Sequence, residues 1–215
     1  MDYAEELQRI TEEISVCDKC DLHFSRKNGV PGEGPINADI VFIGEGPGFH
    51  ENEQGRPFVG AAGRFLDELL AKIGLKREDV YITNVVKCRP PGNREPRPEE
   101  VEMCASHYLD RQLQLINPKV IITLGRYSLG RFIHNAKISD VHGQAMRVKG
   151  RLIVPMYHPA AALHQASLRP IVEQDFAKLP ELISQTAGIP EYNDQQFNDQ
   201  LLNEKKEPPK QLSLF

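Results

Sequence analysis

The spacing of four cysteines is the first feature of the sequence that suggests a particular chemistry. They form a C-x2-C pair and, after a long gap, a C-x15-C pair: Cys17, Cys20, Cys88 and Cys104. We expect no secretory signal peptide, because the first residues are acidic and amphipathic, so disulfides are the poorer explanation. Four thiolates suit either a zinc site or an iron–sulfur cluster, and the spacing does not distinguish them. Four ordinary buried cysteines are the remaining alternative, since a C-x2-C pair is common by chance.

A glycine-rich turn, Gly44-Glu45-Gly46-Pro47-Gly48, follows a run of β-branched residues. It fails the dinucleotide fingerprint, which needs glycine where Phe49 stands, and it lacks the Gly-Lys-Ser/Thr of a phosphate-binding loop. A glycine-rich turn alone is more often just a tight connection after a strand. Asn84 and His158 also follow β-branched runs. Taken alone, the asparagine fits a turn or cap, and a histidine before proline is unremarkable.

These residues must be positioned by the elements that the hydrophobic pattern predicts. Strands are predicted at Ile40–Ile43, Val80–Thr83, Val120–Leu124 and Leu152–Met156. Helical periodicity predicts helices around Leu7–Ile14, Ala62–Ile73, Pro98–Ile116, Tyr127–Ile133 and Ile171–Leu182. The alternation indicates an α/β fold with a mainly parallel sheet. Ligands of such sheets bind beyond the carboxyl ends of the strands, so the residues that follow each strand are expected to meet at one cleft.

Composition places the chain among globular proteins. With 215 residues and 40% hydrophobic residues, it suits one domain with a tail. No apolar run is long enough to span a membrane, and we expect a soluble, cytoplasmic monomer. The net charge of −4 excludes a wholly basic surface, but two short segments, 87–97 and 146–151, are basic. They fit either DNA contacts or ordinary solvated loops.

Taken together, the motifs resemble one known family. C-x2-C is followed by GEGPG-x2-E, GRPFVGAAGRFL, TNVVKCRPPGNREP, a further cysteine and YHPAA, in that order. Over roughly residues 1–185 this arrangement resembles the family-4 uracil-DNA glycosylases. The resemblance implies a three-layer α/β/α sandwich of the uracil-DNA glycosylase superfamily with a mainly parallel central sheet. It also implies a 4Fe-4S cluster on the four cysteines.

The resemblance assigns substrate-binding roles as well. Phe58 would stack on the face of a uracil flipped out of DNA, and Asn84 would read its edge. His158 would donate a hydrogen bond to the uracil anion as it leaves. Glu45, with the backbone of Gly46 and Pro47, would line the pocket, and a second carboxylate, Glu51, would hold the attacking water. In another branch of the superfamily an aspartate holds the water at the position that Gly46 occupies here, so the resemblance leaves His158, Glu51 and Glu45 as the candidate catalytic set.

The implied reaction is monofunctional hydrolysis of the glycosidic bond, which initiates base excision repair. Arg89 and Arg94 are the candidate DNA-contacting cations, and Leu163 is the candidate wedge in a loop over residues 160–167 that enters the minor groove. A relative crosslinks to the uracil site through a histidine in a basic insert. Such an insert is absent around His50, so turnover is expected. The sequence does not rank single-stranded DNA, U·G and U·A as substrates.

The end of the chain has a different composition. We predict a glycosylase domain over residues 1–186, a disordered linker over 187–210 and a binding peptide over 211–215. The peptide resembles the clamp-binding motifs of bacterial repair proteins: Gln211, Leu212, Leu214 and Phe215 would bind the sliding clamp. Two alternatives to the enzyme stay open, a catalytically silent iron–sulfur DNA-binding module and a zinc-stabilised interaction domain tethered to the clamp.

Overall fold

A five-stranded sheet forms the centre of the protein in the computed structural model, which describes residues 2–184, 189, 191 and 192. Its strands are β1 Ile40–Gly44, β2 Tyr81–Asn84, β3 Val120–Leu124, β4 Met146–Val148 and β5 Arg151–Met156. They lie in the order β2-β1-β3-β5-β4. All neighbours pair in parallel except β4 and β5, which are antiparallel. This confirms the predicted α/β class with a mostly parallel sheet.

The antiparallel edge strand was not predicted. Strand β4 is short and joins β5 through Lys149 and Gly150, whose φ angles are 50° and 77°. Two consecutive residues with positive φ make a tight hairpin turn whose twist matches that of the strands. The basic segment 146–151 is therefore a β-hairpin rather than an irregular loop.

Nine α-helices surround the sheet in the described part of the chain. They are α1 Tyr3–Val16, α2 Phe49–Gln54, α3 Ala61–Lys72, α4 Pro98–Cys104, α5 Asp110–Ile116, α6 Arg126–Phe132, α7 Ile138–Val141, α8 Pro159–His164 and α9 Arg169–Ser184. The predicted helix from Pro98 to Ile116 exists as α4 and α5, joined by a π-helical stretch, Ala105–Leu109. No helix among these described residues is both long and apolar enough to span a membrane.

Helices pack on both faces of the sheet because alternate strand residues point in opposite directions. On one face Phe42 and Ile122 bury against α3 and α9, with Phe42 and Phe176 stacked 6.0 Å apart. On the other face Val41 and Ile121 bury against α5 and α6. The result is a helix–sheet–helix sandwich with the carboxyl ends of the parallel strands along one edge.

The α1 helix adds a smaller apolar cluster beside this sandwich. Ile10 and Ile14 on its inner face pack with Tyr108 and with the residues around the four cysteines. Asp2 caps the helix by accepting a hydrogen bond from the Ala4 amide at 2.9 Å. The cysteine region is thus attached to the main core through α1.

Beyond α9, Glu191 and Tyr192 lie against the sheet edge. The Tyr192 amide donates to the Arg147 carbonyl oxygen at 2.6 Å, and Glu191 accepts from the Gly150 amide at 3.1 Å. Most of the predicted linker over 187–210, and all of the peptide over 211–215, lie outside the described residues. The domain boundaries therefore stay a prediction.

Candidate active site

The carboxyl ends of β1 and β2 place two site residues side by side. Gly44 pairs with Asn84 in the parallel register, and Asn84 is 2% exposed. A Cβ atom added to Gly44 would lie 2.4 Å from Asn84 Oδ1 and 2.7 Å from the Phe58 ring. Only glycine lets both side chains lie over the end of β1. The amide and the aromatic ring are thereby held side by side at the carboxyl end of β1.

Phe58 reaches this position with an unusual backbone. Its φ is 51°, a conformation that non-glycine residues rarely adopt and that costs of order 1–3 kcal/mol. Arg77 stabilises it from one side, donating to the carbonyl oxygens of Phe58, at 3.1 Å, and of Pro57. Gly63 also approaches the Phe58 carbonyl too closely to carry a side chain. The strained residue is therefore fixed by contacts from α3 and from the segment before β2.

Glu51 fixes the next two peptide groups. Its Oε1 accepts hydrogen bonds from the amides of Val59, at 3.0 Å, and Gly60, at 2.9 Å. Its other oxygen lies beside Gly48, 2.8 Å from where a Cβ atom of that residue would be. The carboxylate predicted to hold water thus also holds the segment that presents Phe58.

His158 lies next to Phe58. It follows β5 and precedes α8, and its ring centroid is 5.5 Å from that of Phe58, with the two rings nearly parallel. Its Nδ1 accepts a hydrogen bond from the Ala160 amide at 3.1 Å. Burial lowers the pKa of His158 to about 4, although the Glu51 carboxylate opposes the shift. The imidazole is therefore neutral near pH 7, and the proton resides on Nε2 because Nδ1 is an acceptor.

The second predicted carboxylate, Glu45, directly follows β1. Burial raises the pKa of Glu45, the nearby Glu95 carboxylate raises it further, and Arg126 opposes both. Glu95 itself forms an ion pair with Arg126 and accepts a hydrogen bond from Tyr127 Oη at 2.7 Å. Gly46 packs so closely on Val86 that a Cβ atom there would lie 2.6 Å from a valine methyl group. The glycine-rich turn is therefore pressed against the segment after β2.

The four cysteines line one small cavity together with Ile14, Leu22 and Tyr108. Burial raises the pKa of the Cys20 and Cys88 thiols and raises that of Cys104 to about 12. Two N–H groups already point at sulfur: the Lys87 amide donates to Cys104 Sγ at 3.2 Å, and Arg26 donates to Cys88 Sγ at 3.4 Å. Such donors are typical around iron–sulfur clusters. Among the described residues, no three cysteine, histidine or acidic side chains are already gathered at metal-binding separation.

Lys87 connects this cavity to the cleft. Its side chain is fully buried, and Nζ donates to Thr83 Oγ1 at 2.6 Å, the Asn84 carbonyl oxygen at 2.8 Å and Gln112 Oε1 at 2.7 Å. Burial lowers the pKa of Lys87 to about 7. The three acceptors satisfy all three N–H groups of its charged form, so a buried amine is tolerated beside Asn84.

The predicted DNA-contacting residues have different surroundings. Arg89 lies over the ring of Phe49, with 5.2 Å from its guanidinium carbon to the ring centroid. Arg94 instead forms a two-bond fork with buried Glu100, at 2.8 and 2.7 Å. Leu163, the predicted wedge, is 44% exposed. Its segment differs from the predicted loop over 160–167, because α8 occupies Pro159–His164, with proline in its first turn and His158 as its cap.

The fold brings Phe58, Asn84, His158, Glu51 and the turn around Gly46 to one edge of the sheet. Sequence reasoning missed Arg77 as the residue that holds Phe58. It named Lys87 only as part of a basic segment, whereas the side chain is internal. A single arginine or lysine has no distinctive spacing, so only a buried position next to a motif could have indicated either role.

Comparison with known proteins gives a consistent result. Residues 31–179 match the model of the Uracil DNA glycosylase superfamily. The chain is similar to the type-4 uracil-DNA glycosylase of Archaeoglobus fulgidus, with 52% identity covering 83% of this chain and 94% of that protein. It is similar to the enzymes of that type from Sulfurisphaera tokodaii, with 47% identity over 82% of this chain and 84% of the relative. The corresponding values for the Thermotoga maritima protein are 47%, 83% and 96%.

Proposed function

The chain belongs to the type-4 uracil-DNA glycosylases of the Uracil DNA glycosylase superfamily, and from that premise we propose that it hydrolyses the bond between uracil and deoxyribose in DNA. The observation that carries the proposal is the meeting of Asn84, Phe58 and His158 at one cleft. Its product, DNA with an abasic site, is the substrate for the later steps of base excision repair.

Recognition requires that the base leave the stack, because its edge and faces are hidden in a duplex. In the cleft, Phe58 would cover one face of the flipped base. The Asn84 amide offers one donor and one acceptor, which match uracil O4 and N3–H. Cytosine presents the opposite pair, so its binding would leave buried polar groups unsatisfied.

Departure of the base requires stabilisation of negative charge on uracil. The neutral imidazole of His158 carries its proton on Nε2, which is the nitrogen left to donate a hydrogen bond to uracil O2. A neutral donor suits a leaving anion that departs without being protonated, because the proton stays on the imidazole. One such donor to developing charge contributes roughly 2.7–4 kcal/mol.

Attack on the sugar requires a water molecule. Glu51 is the candidate to hold it, since Oε1 is already used by two backbone amides and Oε2 remains at the turn beside Gly48. Glu45 and the backbone of Gly46 and Pro47 would line the pocket. Lys87 is bonded to three internal acceptors, so its amine is not placed to attack the sugar. These contacts support hydrolysis rather than a covalent lysine intermediate.

The four cysteines are proposed to hold a 4Fe-4S cluster. They line one cavity, and N–H donors to two of the sulfurs are in place. When bound, the cluster would supply positive charge that stabilises the thiolates against their burial. Its ligands come from the ends of α1 and α4 and from the segment after β2, so it would fix the segment that follows Asn84. A structural role of this kind needs no redox step.

DNA would be held by Arg89 and by the exposed Leu163, while Arg94 would contribute through its fork with Glu100 by shaping the same segment. Residues 211–215 are proposed to bind the bacterial sliding clamp. The intervening linker would span on the order of 28 Å, which would keep the catalytic domain close to clamp-bound DNA.

A single assay tests the activity: release of uracil from a uracil-containing oligonucleotide, with the thymine-containing strand as its control. We expect more than one uracil released per enzyme, because the chain lacks the basic insert that would accompany crosslinking near His50. Purified, iron-loaded protein that binds the strand but releases no uracil would instead support the silent DNA-binding module. Arrest after one uracil, with protein attached to DNA, would indicate crosslinking.

A further inference from the structure

An exposed aromatic ring follows the glycine-rich turn of the candidate site. Phe49 begins α2 directly after the glycine-rich turn, and 53% of its surface is exposed. A single exposed hydrophobic residue needs no explanation. Phe49, however, has the guanidinium of Arg89 over its ring, 5.2 Å from the centroid. The pair combines a stacking surface with a positive charge.

Arg89 is held in this position by neighbours. Its Nε donates to Asn93 Oδ1 at 2.7 Å, and its carbonyl oxygen accepts from Ser25 Oγ at 3.1 Å. The cation–π contact is therefore organised before any ligand binds, which reduces the entropy lost on binding. Phe24, next to Ser25 in the sequence, is a second exposed aromatic residue, at 80%.

Contacts connect this surface with the cleft. The Phe49 ring meets the His50 ring edge to face at 5.4 Å. His50 in turn lies against Gly60, 3.5 Å from where a Cβ atom of that residue would be. Gly60 belongs to the segment that Glu51 fixes after Phe58. A strand whose uracil enters the cleft would thus pass close to Phe49.

We propose that Phe49 and Arg89 form a stacking platform for a base of single-stranded DNA that neighbours the flipped uracil. The inference rests on the proposed glycosylase function and specifies its substrate. Bases of a duplex are covered on both faces by their neighbours, whereas an unpaired strand can place a base on a protein ring. Aromatic rings beside arginines are the usual means of holding single strands without sequence preference. The platform therefore favours single-stranded over double-stranded uracil-DNA.

The chain has no tryptophan, which makes a direct test possible. Phe49→Trp introduces one indole at the platform, and Tyr3→Trp introduces one at a comparably exposed aromatic position, 59% against 53%, at the far end of α1. Both full-length, iron-loaded variants are titrated with a single-stranded thymidylate oligomer that contains no uracil. We expect saturable quenching for Phe49→Trp only. The same oligomer annealed to its complement should quench little.

Kinetics on uracil substrates provide the second measurement. Phe49→Ala should lower kcat/KM on a single-stranded uracil oligonucleotide by about 5-fold to about 150-fold, the factor expected for one stacked base, mainly through KM. Tyr3→Ala should leave it unchanged, and Phe49→Trp should retain it. On the U·G duplex, Phe49→Ala should have little effect.

Unquenched indole at position 49, or equal effects of Phe49→Ala on both substrates, would overturn the platform. Thymidylate binding requires no excision, so quenching without uracil release by the wild-type protein would uphold the platform and refute the glycosylase function. Uracil release by the wild type, with kcat/KM unchanged in the Phe49→Ala variant, would uphold the glycosylase function and refute the platform.

Discussion

Arg77→Ala should weaken catalysis although Arg77 lies outside the predicted catalytic set. Arg77 donates to the carbonyl oxygens of Pro57 and Phe58, and it is these bonds that help hold Phe58 at a φ of 51°. Each bond from a charged donor contributes roughly 1.5–3 kcal/mol, against about 1–3 kcal/mol of backbone strain. Without them the segment can relax, and the ring no longer stays over Gly44. We expect kcat/KM for uracil release to fall by about 10-fold to about 100-fold.

Arg56→Ala is the matched control. Arg56, like Arg77, pairs with Glu33, through two bonds of 2.7 and 2.8 Å against one of 3.3 Å for Arg77. Among the described residues, however, Arg56 makes no bond to the Phe58 segment. Arg56 is 55% exposed and Glu33 keeps its ion pair with Arg77, so loss of the Arg56 bonds should change stability by less than about 1 kcal/mol and leave excision near wild type. Arg77→Lys keeps the charge without the planar fork, and an intermediate rate is expected.

A double-mutant cycle separates positioning from general stability. If Arg77 acts through Phe58, then adding Arg77→Ala to a Phe58→Ala variant should cause no further loss of kcat/KM. In the Arg77→Ala single mutant, inhibition by free uracil should weaken together with the fall in kcat/KM, because the ring that stacks on the base is displaced. Fully additive losses, or a loss for Arg77→Ala no greater than that for Arg56→Ala, would refute the reasoning.

Four further expectations concern the site, the cysteines and the tail. Asn84→Asp and His158→Ala should each reduce uracil release by a factor approaching a thousand without unfolding the protein; near-wild-type rates would contradict the pocket assignment. Folding lowers the pKa of His158 to about 4. Between pH 6.5 and pH 4, the unfolded chain therefore binds a proton at this residue that the folded protein does not bind. The free energy of unfolding should thus fall by at most about 3 kcal/mol as the pH is lowered from 6.5 to 4. Urea titrations of the His158→Asn variant should lack this part of the pH dependence. Anaerobically purified protein should contain iron and sulfide, and stoichiometric zinc alone would favour the interaction-domain alternative. Deleting residues 211–215 should abolish sliding-clamp binding in a pull-down while short oligonucleotides are still cleaved, and clamp binding as tight as that of the full chain would contradict the tail assignment.

Local patterns in the sequence were enough to predict the class of the protein and the residues that meet at the candidate site. Buried strands appear as β-branched runs and helices as periodic ones, so the parallel core of the sheet and the residues after each strand could be predicted. The order of separated motifs, including the four cysteines, indicated the family before any geometry was known. These features are local in sequence, which is why they can be read without a structure.

Other features depend on contacts between residues that are distant in sequence, and only the tertiary structure shows them. The positive φ of Phe58 persists because Arg77, nineteen residues away, bonds its carbonyl oxygen. His158 is neutral because of how deeply β5 and α8 place it, and α8 replaces a predicted loop because His158 and Pro159 start a helix there. Lys87 looks like a surface cation in sequence and is internal in the fold. Strain, desolvation and buried hydrogen bonds arise only when remote segments pack together, so the sequence alone could not specify them.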